Sequence, residues 1–211
     1  MVKQKTIHNL IILDESGSMG VIKDATISGF HGLAHQIISS GREFPTQDHK
    51  ISLTTFSGTQ TKFKLFNQPV SELASINNQN YRPDDTTPLY DAICKSVLRL
   101  KHELYNSKNY RALVTILTDG LENSSEEFSL QETKYLIETM SEDSRWGFGL
   151  IGANIDARRT AESLSIPASR AIEFEAEDFS VNEMFRRYRV AQRNMHSVFN
   201  RGGDFSDHIP F

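Results

Sequence analysis

Leu10-Ile11-Ile12-Leu13-Asp14-Glu15-Ser16-Gly17-Ser18-Met19-Gly20, residues 10–20, is the stretch on which the reading of this chain turns. Four consecutive apolar residues without polar alternation suit a strand buried on both faces, the pattern of a parallel sheet covered by helices. The run ends on an aspartate. Gly17 and Gly20 then allow a tight loop in which the alternate hydroxyls of Ser16 and Ser18 face inward with Asp14. A second run, Leu113-Val114-Thr115-Ile116-Leu117, has the same character and is followed, one residue further on, by Asp119-Gly120.

Outward from these runs, the pattern alternates. Ile51 to Phe56 and Lys62 to Phe66 flank the short link Ser57-Gly58-Thr59-Gln60, which predicts an antiparallel hairpin. Phe63 and Leu65 alternate with lysines, as on an edge strand. Further strands are expected at Trp146 to Ile151 and Ala171 to Phe174. Helical spacing joins Ile22, Thr26, Phe30, Leu33 and Ile37, and again Leu89, Ile93, Val97, Leu100 and Leu104. Shorter helices are expected over 130–140 and 157–164. A long last one carries Val181, Met184, Phe185, Tyr188, Ala191, Met195 and Val198. Alternating strands and helices with two fully buried strands predict an α/β, Rossmann-like doubly wound fold: a mostly parallel central sheet, one antiparallel edge strand, and helices on both faces.

A chain of 211 residues fits one such domain, set here at residues 1–199, with 200–211 as a C-terminal tail after the last periodic position. At 38% hydrophobic and 24% charged the composition is that of a folded globular protein and excludes a disordered one. A net charge of −4 argues against nucleic acid as the main partner, which needs a concentrated basic surface. Cys94 is the single cysteine, which excludes an intrachain disulfide, a cysteine-based zinc cluster and a CxxC redox pair, and suits a reducing compartment. Met1 to Thr6 leads into an apolar run too short to span a membrane and lacks a small-residue cleavage site, so a cytoplasmic protein without a membrane partner is expected.

In a doubly wound sheet, ligands bind beyond the carboxyl ends of the strands. Asp14, Ser16 and Ser18 follow the first buried strand, Asp119 follows the second, and Thr87 precedes Pro88 at a helix start. These five side chains are two carboxylates and three hydroxyls, with no imidazole or thiolate. Such hard oxygen donors fit Mg2+, or Mn2+ or Ca2+, better than zinc or copper.

These residues resemble the metal-ion-dependent adhesion site of von Willebrand factor A (VWA) domains, whose pattern is Asp-x-Ser-x-Ser, Thr, Asp. Asp14-Glu15-Ser16-Gly17-Ser18 matches the first segment, Thr87-Pro88-Leu89-Tyr90-Asp91-Ala92 the second and Leu117-Thr118-Asp119-Gly120 the third. The resemblance covers about the first 175 residues, through the strand ending Ile151-Gly152-Ala153-Asn154, and is nearest to small free-standing bacterial members. It implies that Ser16, Ser18 and Thr87 bind a cation directly, with Asp14 and Asp119 acting partly through water. A cation held in this way keeps an open position for an acidic side chain of a protein partner. One departure stands out: Asp84, Asp85 and Thr86 occupy positions before the threonine that are often glycine. With Glu122, they either add a ligand or repel an acidic partner.

The resemblance therefore implies a Mg2+-dependent protein-binding module, an adaptor in a bacterial intracellular complex, and no catalysis. One alternative is a scaffold whose metal is purely structural. Another is a serine hydrolase using Ser18, Asp119 and His196 or His208, although the nucleophile elbow G-x-S-x-G is absent. His31 and His35 lie one helical turn apart without a third ligand. Asp91 reads equally as a support for Thr87 or as a surface carboxylate. Arg186, Arg187, Arg189 and Arg193 form a basic cluster on the last helix, read as a solvated face with an acidic partner as the alternative.

Overall fold

The computed structural model describes residues 5–153, 155–174 and 178–205. The two apolar runs lie side by side as central strands: β1 (Lys5–Asp14) pairs in parallel with β4 (Tyr110–Thr118), Ile12 opposite Ile116. On the other side of β1 lies β2 (Gln47–Ser57), also parallel, and β3 (Gln60–Pro69) returns from it antiparallel as an edge. β5 (Trp146–Ala153) and β6 (Ala171–Phe174) extend the parallel half, giving the order β3-β2-β1-β4-β5-β6. All six strands fall where the apolar runs predict them, with ends displaced by up to four residues.

Helices cover both faces. On one, α1 (Lys23–Glu43) turns Thr26, Phe30, Leu33 and Ile37 onto Ile11, Leu13, Ile51 and Leu53, and Tyr188 of α5 (Asp178–Asn200) joins them. On the other, α2 (Leu89–Glu103), α3 (Leu130–Ser141) and α4 (Ala157–Ser163) close over Leu10, Ile12, Val114, Ile116, Phe148 and Leu150. β1 and β4 have side chains in both clusters, which is why their sequences do not alternate. α3 starts at a capping box in which Ser129 and Glu132 satisfy each other's backbone N–H groups.

After β1 the chain moves to β2 on one side, and it later resumes on the other side at β4. The carboxyl ends of β1 and β4 therefore form the topological switch point, where neighbouring connections diverge and leave a crevice. Asp14 ends β1, and Asp119 directly follows β4.

Asn154, the side chains of Val181, Met184 and Phe185, and residues 206–211, including His208, lie outside the described residues. The first residues of the expected tail are docked. Phe205 is buried against Phe199, its N–H donates to Ser144 O (3.1 Å), and Arg170 donates to its carbonyl (2.8 Å). A Cβ on Gly147 would lie 2.2 Å from that ring, so the absence of a side chain on β5 is what admits Phe205. Periodicity stops at Phe199 because the chain turns back at Gly202 (φ +94°), not because packing ends. Phe205→Ala is expected to cost about 3 kcal/mol, read as a lower urea midpoint at unchanged slope.

Candidate metal centre

Three loops meet above the switch point. The β1–α1 loop runs through a short 3-10 turn, Gly17–Gly20, which brings the Oγ atoms of Ser16 and Ser18 to 3.3 Å. Ser18 Oγ donates to Asp119 Oδ1 at 2.6 Å. Thr87 and Ser18 both face Gly120: a Cβ there would stand 3.0 Å from Thr87 Oγ1 and 3.5 Å from Ser18 Oγ. Asp14 is fully buried beneath them, its Oδ1 accepting from Ser16 N–H (2.7 Å) and its Oδ2 from Thr118 Oγ1 (2.5 Å). The five predicted residues, drawn from three segments with Ser18 and Asp119 bonded across 101 positions, are thus one cluster.

The surrounding loops are tied down by main-chain bonds. Gly17 N–H donates to Asp85 O, Asp84 N–H to Glu15 O, and Gly58 N–H to Thr86 O, each at 2.9 Å. Tyr81, buried in the same face, donates its hydroxyl to Asp14 O at 2.7 Å. Thr87 N–H donates to Asn123 Oδ1 (2.8 Å), linking the α2 start to the β4–α3 loop.

Burial pushes the Asp14 carboxyl up to about 6, with the bonds from Thr118 and Ser16 opposing that rise and the Asp119 charge adding to it. Burial also raises Asp119, against the Ser18 bond. Two carboxylates whose charged forms are disfavoured by burial, beside three hydroxyl oxygens, would be stabilised by a cation among them. The donor set of two carboxylates and three hydroxyls fits a hard divalent ion.

The acidic neighbours have other partners. Glu122 accepts from the N–H groups of Tyr90, Ser124 and Ser125 and from Ser125 Oγ, all within 2.9 Å. Asp91 is buried and accepts from the N–H groups of Glu126, Glu127 and Phe128, so it shapes the β4–α3 loop and is neither a prop for Thr87 nor a surface carboxylate. Asp84 and Asp85 are exposed, each also accepting from the next N–H (2.9 and 2.8 Å). Asp85 adopts φ +68°, a left-handed conformation that aspartate tolerates better than most residues. No spacing rule flags Glu122 and Asp91 as loop organisers, because their acceptors' partners are backbone amides up to 37 residues away.

The hydrolase arrangement is not assembled with His196. That residue packs on His49, near the start of β2, seven residues of strand from the Asp14 end by the β1 register, or roughly 20 Å. Ser18 instead bonds Asp119 directly. His31 Nε2 contacts Ile76 O at 2.7 Å, and His35 is exposed. Of the basic cluster, Arg186 pairs with Glu183 and Arg193 with Glu43 in exposed ion pairs.

A six-stranded sheet in this order, with its antiparallel edge beside β2 and its cluster at the β1/β4 switch, defines the VWA fold. Solved structures agree. The SpRpn10 VWA domain is similar over 88% of this chain and 94% of its own, at 14% identity and a TM-score of 0.61. Manganese-loaded TRAP protein of Plasmodium vivax matches over 88% and 74%, at 15% identity and 0.55. Proximal thread matrix protein 1 from the mussel byssus, solved with a zinc-occupied MIDAS motif, matches over 92% and 47%, at 8% identity and 0.57; the chain thus spans about half of that protein. No sequence-family model matches the chain, and no curated protein matches it by sequence.

Proposed function

We propose that Asp14, Ser16, Ser18, Thr87 and Asp119 hold one divalent cation, Mg2+ in the cell, with Mn2+ and Ca2+ as substitutes. The chain is then a cation-dependent protein-binding module, a non-catalytic adaptor in a bacterial cytoplasmic complex whose partner offers an acidic side chain to the cation. The observation that carries this reading is the convergence of Ser18, Thr87 and Asp119 on Gly120 above the buried carboxylate of Asp14. The zinc-occupied MIDAS motif of the mussel byssus protein supports a metal in this position, and the manganese-loaded TRAP protein supports a divalent metal in this fold. Glu122 supports it as well, because its oxygens are occupied by backbone amides and do not compete for the ion.

Calorimetric titration of the full chain with Mn2+ is expected to show one equivalent bound per chain, and Thr87→Ala to remove that binding without changing net charge. Thr87 supplies only its hydroxyl to the cluster, so loss of binding reports on that donor. Equal Mn2+ uptake by Thr87→Ala sinks the assignment. Partner capture that survives chelator would leave the ion structural and remove the adaptor role built on it.

A further inference from the structure

The two peptide units before Thr87 have every polar group bonded. Asp85 O accepts from Gly17 N–H and Thr86 O from Gly58 N–H, each at 2.9 Å, while Thr86 N–H donates to Asp85 Oδ1 and Thr87 N–H to Asn123 Oδ1, each at 2.8 Å. Three segments therefore grip one short stretch of chain: the loop after β1, the β2–β3 turn and the loop after β4. Asp85 takes part in two of these bonds, one through its main chain and one through its side chain.

The second oxygen of that side chain lies on the β2–β3 turn. A Cβ added to Gly58 would stand 2.6 Å from Asp85 Oδ2 and 3.0 Å from its Cγ, so the carboxylate fills the space that a side chain on Gly58 would take. Both residues are left-handed at this contact, Gly58 at φ +59° and Asp85 at φ +68°. Glycine enters that region freely, and aspartate is among the few other residues that tolerate it. We infer that Asp85 is a positioning residue for Thr87: its carboxylate, wedged between Thr86 N–H and Gly58, fixes the peptide units that aim Thr87 Oγ1, and it is not itself a ligand of the cation. This inference rests on the cation reading above, and it assigns a role to a charge beside the site that the donor set leaves open. What Asp85 contributes is an acceptor oxygen and a tolerated backbone conformation, both of which asparagine reproduces.

Calorimetric titration of the full chain and three variants with Mn2+ tests this. Asp85→Ala removes the acceptor and leaves a residue that disfavours the left-handed region; it is expected to bind about tenfold more weakly, the usual size when a group that orients a ligand is lost. Asp85→Asn is expected to bind within about threefold of the unaltered chain, because an exposed charge is screened at physiological salt. Gly58→Ala removes no donor and no charge, yet its methyl group displaces the Asp85 carboxylate, so binding is expected to weaken by about fivefold or more. An Asp85→Asn variant as weak as Asp85→Ala overturns the inference, since the site would then be using the charge. So does a Gly58→Ala variant that binds like the unaltered chain. Amide hydrogen exchange without metal gives a second reading: protection of Gly17 and Gly58 is expected to fall in Asp85→Ala and to persist in Asp85→Asn, and equal protection in the two variants also overturns it. Absence of Mn2+ uptake by the unaltered chain overturns the cation reading and this role with it, an outcome told apart because it involves no variant.

Discussion

Saturating Mg2+ is expected to raise the thermal midpoint of this chain by about 5–10 °C, and Asp119→Asn to abolish the rise. The size follows from mass action: an ion that binds only the folded form at about a hundred times its dissociation constant adds about 2.7 kcal/mol, and a domain of this length gains about 2–4 °C per kcal/mol. Asp119 is the informative position because it lies just beyond β4, half-exposed, with Ser18 as its side-chain partner. An asparagine keeps an oxygen for that bond and removes the charge, so the metal-free midpoint should move by less than the Mg2+ effect. Asp14→Ala behaves differently. It removes the acceptor of both Ser16 N–H and Thr118 Oγ1 inside the core, each bond lost costing about 1–3 kcal/mol, so it lowers the midpoint even without metal. A scan with and without 10 mM Mg2+ on the three proteins separates these effects. A Mg2+ shift retained in Asp119→Asn, or absent from the unaltered chain, removes the cation from these five residues.

The sheet was legible in the sequence because burial on both faces erases alternation. Leu10 to Leu13 and Leu113 to Leu117 can be nothing but inner strands once helices flank them. The cluster was legible for a related reason: a strand's last residue is placed by the strand, so aspartates at or just past the ends of two neighbouring strands must meet. What the sequence does not reveal is the role of polar groups whose partners are backbone atoms. Asp91 and Glu122 shape the loop over 122–128 through N–H groups that carry no side-chain signature. Phe205 was hidden by the Gly202-Gly203 break, although its seat is the missing side chain of Gly147. The inner face of α5 was misleading in another way. Tyr188, Ala191 and Met195 follow the apolar period, but Gln192 and His196 share their burial. A polar residue one step off an apolar stripe reads as solvent-facing, and here the sheet beneath it carries His49 and Gln47 in the same buried layer.

That polar layer is expected to make the chain sensitive to acid, independently of the candidate centre. His196 and His49 pack edge to face with ring centroids 4.7 Å apart, both are buried, and none of their ring nitrogens has a hydrogen-bond partner among the described residues. Burial pushes His196 down to about 3, with the His49 ring charge adding to it, and burial pushes His49 down to about 4 against the pull of Asp48. His8, buried at the start of β1, is lowered to about 4 by the same cause, opposed by Asn67 and Asp48. All three are neutral in the folded chain near neutrality. Once unfolded they titrate near 6.5, so below that pH the unfolded chain binds more protons than the folded one. The stability they provide is therefore present above about 6.5 and is lost as pH falls toward 4. Between pH 7 and pH 5 each histidine accounts for a loss of about 1–2 kcal/mol, a large share of a stability of about 5–15 kcal/mol. Urea midpoints should fall steadily over that range. His196→Leu fills the same apolar surroundings of Phe44 and Phe199 without a titrating group, and should flatten the slope and raise the midpoint at pH 5. An unchanged slope in that variant would mean that His196 is charged in the folded chain, and that α5 opens at its C-terminal half to admit water around it.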